Sequence, residues 1–98
     1  MAHDPICVGL AEDIMDFLNQ KCRTAFKFRT VHGKLTHGAE LILARLADGA
    51  TPDQCRQIIV RKHREWSGRP DMRPYLRPET LFGRRKFESY VGELGSDR

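Results

Sequence analysis

Apolar residues recur at helical spacing in four stretches of the chain, separated by turn-forming residues. In residues 8–22, Leu10, Ile14, Phe17 and Leu18 fall on one face, with Ala11, Met15 and Cys22 flanking the stripe. Glu12, Asp13 and Asp16 lie elsewhere on the wheel, early in the segment, where the helix dipole favours acids. Lys21 and Arg23 stand at its end, where the dipole favours bases. A second helix is expected over residues 36–48, with Leu35, Ala39, Ile42 or Leu43, and Leu46 as its apolar face and Gly49 as its stop. The third start is the most sharply marked: Thr51 is placed to cap, Pro52 suits the first helical position, and Gln54 completes a capping box. Cys55, Ile58, Ile59, Lys62 and Trp66 then form one stripe, with the Lys62 stem expected to run along the core and carry its ammonium out to water. Asp53, Arg56, Gln57, Val60, Arg61 and Arg64 make the opposite face, and Ser67-Gly68 ends the segment.

The connections carry their own signals. After the first helix, Phe26, Phe28 and Val31 alternate with Lys27 and Arg29, but no second strand is at hand to pair with them. The expectation is a loop anchored on the core by Phe26 and Phe28. Pro70, Pro74 and Pro78 each turn the preceding residue away from helix. Residues 78–82 read as one helical turn, Gly83 breaks it, and a last helix over residues 84–94 buries Phe87, Tyr90, Val91 and Leu94. The pattern as a whole predicts an all-α fold. It is one small domain of about four helices over residues 1–98, with short flexible termini and an ordered proline-rich loop before the last helix.

Composition agrees with a single domain. A chain of 98 residues, 40% hydrophobic and 31% charged, has the make-up of a soluble globular protein with a modest core. No apolar run approaches the roughly 20 residues that span a bilayer, and the start lacks the pattern of a secretory signal. A cytoplasmic location, with no membrane contact, is therefore expected. Cys7, Cys22 and Cys55 are odd in number and widely spaced, which fits free buried thiols rather than a disulfide framework.

Charge changes the picture more. Residues 1–55 carry six basic and seven acidic side chains, whereas residues 56–86 carry ten basic and three acidic ones. Such segregation points to an anionic partner, either nucleic acid or an acidic protein surface. Arg56, Arg61 and Arg64 share a helix face. Arg69 and Arg73 come from the proline-rich loop, and Arg84, Arg85 and Lys86 open the last helix. Packed side by side, these elements would build one basic surface. The guanidinium fork suits phosphate, and Tyr75 would add base stacking of the kind single-strand binders use. Phe82, Phe87 and Tyr90 have core spacing instead.

Catalytic and metal signatures are missing from the sequence. His3, His32, His37, His63 and the cysteines show no ligand spacing. Residues 83–86 lack the full phosphate-loop pattern, and Asp13 with Asp16, or Glu88 with Glu93, read as ordinary surface charges. The expectation is a protein without catalytic activity, cofactor or small-molecule substrate.

A family resemblance adds to this reading. Trp66, Met72, the run Tyr75-Leu76-Arg77-Pro78-Glu79-Thr80-Leu81-Phe82-Gly83, and Lys86-Phe87-Glu88-Ser89-Tyr90 closely resemble the conserved phage C-terminal domain of phage replication and replisome-organiser proteins. Phe17-Leu18-Asn19 with Phe26, and Leu41-Ile42 with Ala44-Arg45-Leu46 and Gly49, resemble its first half, so the likeness spans about residues 12–92. It implies phage or prophage origin and a role linked to initiation of DNA replication. Related organisers and DnaD-like primosomal proteins bind DNA and bring the replicative helicase or its loader to the origin. The resemblance supplies no catalytic residues. The usual proteins carry a DNA-binding domain ahead of this module, whereas here Met1 lies a few residues before the first helix, so the expectation is either a fragment of a longer protein or a module that stands alone. Two readings follow. One is a replication accessory module that binds DNA, single-stranded and without strong sequence preference. The other is a stand-alone adaptor or inhibitor that docks on a host replication or nucleic-acid-guided defence complex.

Overall fold

Asp4 and Pro5 start the first helix earlier than its apolar stripe suggests. The Ile6 N–H donates to the Asp4 carboxylate at 2.9 Å and Pro5 takes the first position. In this computed structural model, which describes residues 4–95, the helices are α1 (Pro5–Cys22), α2 (His37–Ala47), α3 (Pro52–Trp66), α4 (Pro78–Leu81) and α5 (Arg84–Gly95). A 3-10 turn, Arg73–Tyr75, lies within the proline-rich connection. The fold is all-α, with no strand among the described residues. The expected flexible ends at residues 1–3 and 96–98 lie outside the described residues. None of the helices is long and apolar enough to cross a membrane.

α1 packs against α2 and α3, α4 packs on α2, and α5 packs on α3, α2 and α4. The buried stripe of α1 is Ala11, Ile14, Met15, Leu18 and Cys22, while Leu10 and Phe17 are half-buried at its border. The helix is thus rotated relative to the expected stripe. It faces two partners at once, so the small Ala11 takes the centre and Phe17 moves to the rim. α3 starts at the reciprocal capping box, with Thr51 N–H donating to Gln54 Oε1 at 3.0 Å and Gln54 N–H to Thr51 Oγ1 at 3.1 Å.

Three devices join the elements. Asn19 organises the exit from α1, its side chain donating to Phe26 O and accepting from Phe26 N–H and Thr24 Oγ1, each at 2.9 Å. Gly38 lets α2 meet α4: a Cβ there would stand 2.9 Å from Pro78 Cβ. Arg45 is buried and donates to Phe82 O at 3.0 Å, satisfying a carbonyl at the end of α4. Its Nη2 pairs with Asp48 at 3.1 Å.

The connection after α1 is more ordered than a loop merely anchored by two rings. Phe28 is buried and Phe26 half-buried, as expected, but the chain between them and α2 folds back on itself. An isolated antiparallel bridge joins Arg29 to Leu35. Gly33, at φ +80°, supplies the left-handed residue that closes a three-residue hairpin loop.

Candidate nucleic-acid interface

The side chain of Lys62 does not snorkel. It is buried, and its ammonium stands 4.3 Å from the centre of the Tyr90 ring and 5.2 Å from that of Trp66. Two carboxylates hold it there, Glu93 at 2.9 Å and Glu65 at 3.0 Å, and Arg61 reaches the same pair at 3.2 and 3.1 Å. Glu93 is therefore not an ordinary surface charge but the link between α3 and α5. Burial alone would push the Lys62 pKa down; the hydrogen bonds and charges of Glu93 and Glu65 outweigh it and raise the value. The bond from Lys62 holds the Glu93 carboxyl below its ordinary range, with burial opposing.

This cluster backs a groove of about 510 Å³ lined by Trp66, Met72, Tyr75, Glu79, Thr80, Lys86 and Tyr90. Trp66 meets Tyr90 edge-on at 6.3 Å, which fixes both rings. Tyr75 is 43% exposed, and the Arg77 guanidinium lies 5.5 Å from its ring centre while donating to Thr80 Oγ1. Arg77 thus serves the loop rather than pairing with Glu79. Helical spacing sets Trp66 on the core stripe of α3. Its position on the last turn of α3, beside the proline-rich connection, leaves it half-buried at a groove wall.

A second groove, of about 460 Å³, runs along the outer face of α3. Arg56, Arg61, Arg64, Asp53, Gln57 and Val60 line it, with Phe17 of α1 and Leu94 of α5. A third, of about 300 Å³, includes Arg84 beside Arg45, Asp48 and Glu88. The nine expected site residues are thus divided. Arg56, Arg61 and Arg64 share one groove, Tyr75 and Lys86 share another, and Arg84 lines the third. Arg69 pairs with Asp71 at 3.3 Å, and Arg73 donates to Ser67 O at 3.1 Å. Arg56, Arg64, Arg84, Arg85 and Lys86 have no ion-pair partner among the described residues. Arg73 also lies close enough to His63, with Lys21 of α1, to matter electrostatically. Burial first, then these two cations, hold the His63 imidazole below its ordinary pKa.

Two of the three thiols, Cys22 and Cys55, are buried, whereas Cys7 is half-buried on α1. Burial pushes Cys55 up to about 11 and also raises Cys22, so both stay protonated near neutrality. No cluster of three or more His, Cys, Asp or Glu side chains suited to a metal ion occurs among the described residues.

Fold and site together define a small all-α domain with one aromatic groove and one arginine-lined groove. The profile of the family described as Conserved phage C-terminus matches residues 14–92, and the chain belongs to that family. No curated protein and no solved structure matches it.

Proposed function

We propose that this domain is a non-catalytic accessory module of phage DNA replication that holds single-stranded DNA without strong sequence preference. The observation that carries the reading is the aromatic groove. Trp66 and Tyr75 offer ring surface to unpaired bases, and Lys86 stands beside them for phosphate. Arg73 and Arg85, exposed and contributed by the adjoining turn and helix start, extend the cationic field, while Arg84 lines the separate groove beside Arg45, Asp48 and Glu88. Membership of a phage C-terminal family supports the phage setting, and the resemblance to replisome organisers supports the replication role.

Trp66 is the only tryptophan in the chain, so its fluorescence reports on this groove alone. Titration with a thymidine oligonucleotide of about 20 nucleotides at low salt is expected to quench it, and Tyr75→Ala to weaken binding by roughly 1–3 kcal/mol. Saturable binding with unchanged Trp66 emission would move the site elsewhere. Absence of binding at low salt would remove the proposal.

The second groove favours a second reading, docking of an acidic protein such as the replicative helicase, its loader or another host complex. Phe17, Val60 and Leu94 give it apolar floor, and Arg56 and Arg64 give it charge. A purified partner retained after nuclease treatment, and released by Arg64→Glu with DNA binding intact, would establish it.

A further inference from the structure

Residues 17–39 contain no acidic side chain, yet they carry Lys21, Arg23, Lys27, Arg29 and Lys34. The middle of this stretch is the hairpin between α1 and α2. Its order is local and complete. Thr30 N–H donates to Lys34 O at 2.7 Å and Gly33 N–H to Thr30 O at 2.9 Å. The Thr30 hydroxyl accepts from Lys34 N–H and His32 N–H, and the Arg29 guanidinium donates across the turn to Gly33 O at 3.0 Å. The foot is fixed by buried Phe28 and by Thr36, which bonds Lys27 O and caps α2. At the tip of this braced turn Val31 is 94% exposed. Lys27, Arg29, His32 and Lys34 are exposed around it, and none has an ion-pair partner among the described residues.

We propose that this hairpin is a second nucleic-acid contact, built for duplex: Lys27, Arg29 and Lys34 meet phosphates beside a groove, and Val31 packs within the groove against sugar and base edges. The inference rests on the nucleic-acid reading above and adds duplex as a second form of substrate. The choice of duplex follows from what the hairpin lacks. Its two aromatic side chains are turned toward the core, so it has no platform for unpaired bases, in contrast to the Trp66–Tyr75 groove. Cations plus an aliphatic tip suit phosphate contacts and a groove wedge. A protein partner would find no exposed aromatic ring and a single aliphatic side chain, with Arg29 the one residue of a type that often anchors protein interfaces. The two surfaces adjoin: Glu79 of α4 lines both the aromatic groove and the cleft at the hairpin's foot that holds Lys27, Thr36 and His37.

Anisotropy titrations of the whole chain with a labelled single strand, a blunt duplex and anionic phosphatidylserine vesicles test this. The variants are Lys27→Gln/Lys34→Gln, Val31→Ser and Tyr75→Ala, each checked for an unchanged helical spectrum. The double lysine variant is expected to lower the salt slope of duplex binding by about two while leaving the single-strand slope in place. Val31→Ser weakens duplex binding alone, and Tyr75→Ala weakens single-strand binding alone. Loss of single-strand binding in the wild type, with hairpin-dependent duplex binding kept, would overturn the groove reading and leave the hairpin proposal standing. No duplex binding at low salt overturns the hairpin proposal. So does an equal effect of the lysine variant on both nucleic acids, or an effect on vesicles alone.

Discussion

Phe82 has no exposed surface, and its ring lies 5.9 Å from that of Phe87 where α4 gives way to α5. Phe82→Ala should cost about 3–5 kcal/mol in a urea melt, and a cost below about 1 kcal/mol would contradict that burial. Core spacing makes this residue legible in the sequence. Lys62 shows where spacing fails. Its place on the apolar stripe of α3 is evident, but the carboxylate that keeps its ammonium buried comes from Glu93, far along the chain on α5. Glu93→Gln removes the charged acceptor of two cations. It should cost about 1–2 kcal/mol, since the group is partly open to water. The pH dependence follows with its sign. Unfolded, His63 takes its proton near 6.5 and Glu93 near 4.5; folded, both resist it. The unfolded chain thus binds more protons in acid, and stability falls as pH drops, first through the His63 range and then through that of Glu93. In urea midpoints measured across that range, Glu93→Gln should flatten the lower limb and spare the upper.

At the scale of elements, local signals were the readable ones. The capping box of α3 was written in Thr51 and Gln54, and Thr51→Ala should lower stability by about 1 kcal/mol. The start of α1 is also local, in Asp4-Pro5, but the apolar stripe alone places it at residue 8, three residues late. The rotation of that helix was not written locally, because it depends on α2 and α3 both lying against it. The contact of Gly38 with Pro78 is likewise tertiary. Gly38→Ala improves helix propensity, yet it places a methyl 2.9 Å from the Pro78 ring. Overpacking should win, with a net loss of about 1–3 kcal/mol by urea denaturation. The hairpin between α1 and α2 escaped because one bridge pair leaves little strand pattern. Its charge is also masked over residues 1–55 as a whole, because the acids on either side of it offset its bases.

For the whole molecule, the all-α architecture and the phage family were legible, because helical periodicity and the motif around Leu81-Phe82-Gly83 are properties of contiguous residues. The arrangement of the basic residues was not. The expected single surface is divided by the packing of α5 across α3, which sends Arg56 and Arg64 to one groove and Lys86 to another. The same packing brings Trp66 into the aromatic groove, which no charge count reveals. The central claim is that this groove and its cations bind single-stranded DNA through phosphate contacts. The most direct test is the salt dependence of single-strand affinity between about 50 and 200 mM. Three to five such contacts give a log–log slope of roughly −2 to −4, and a slope near zero, or no binding at the lower salt, contradicts the account.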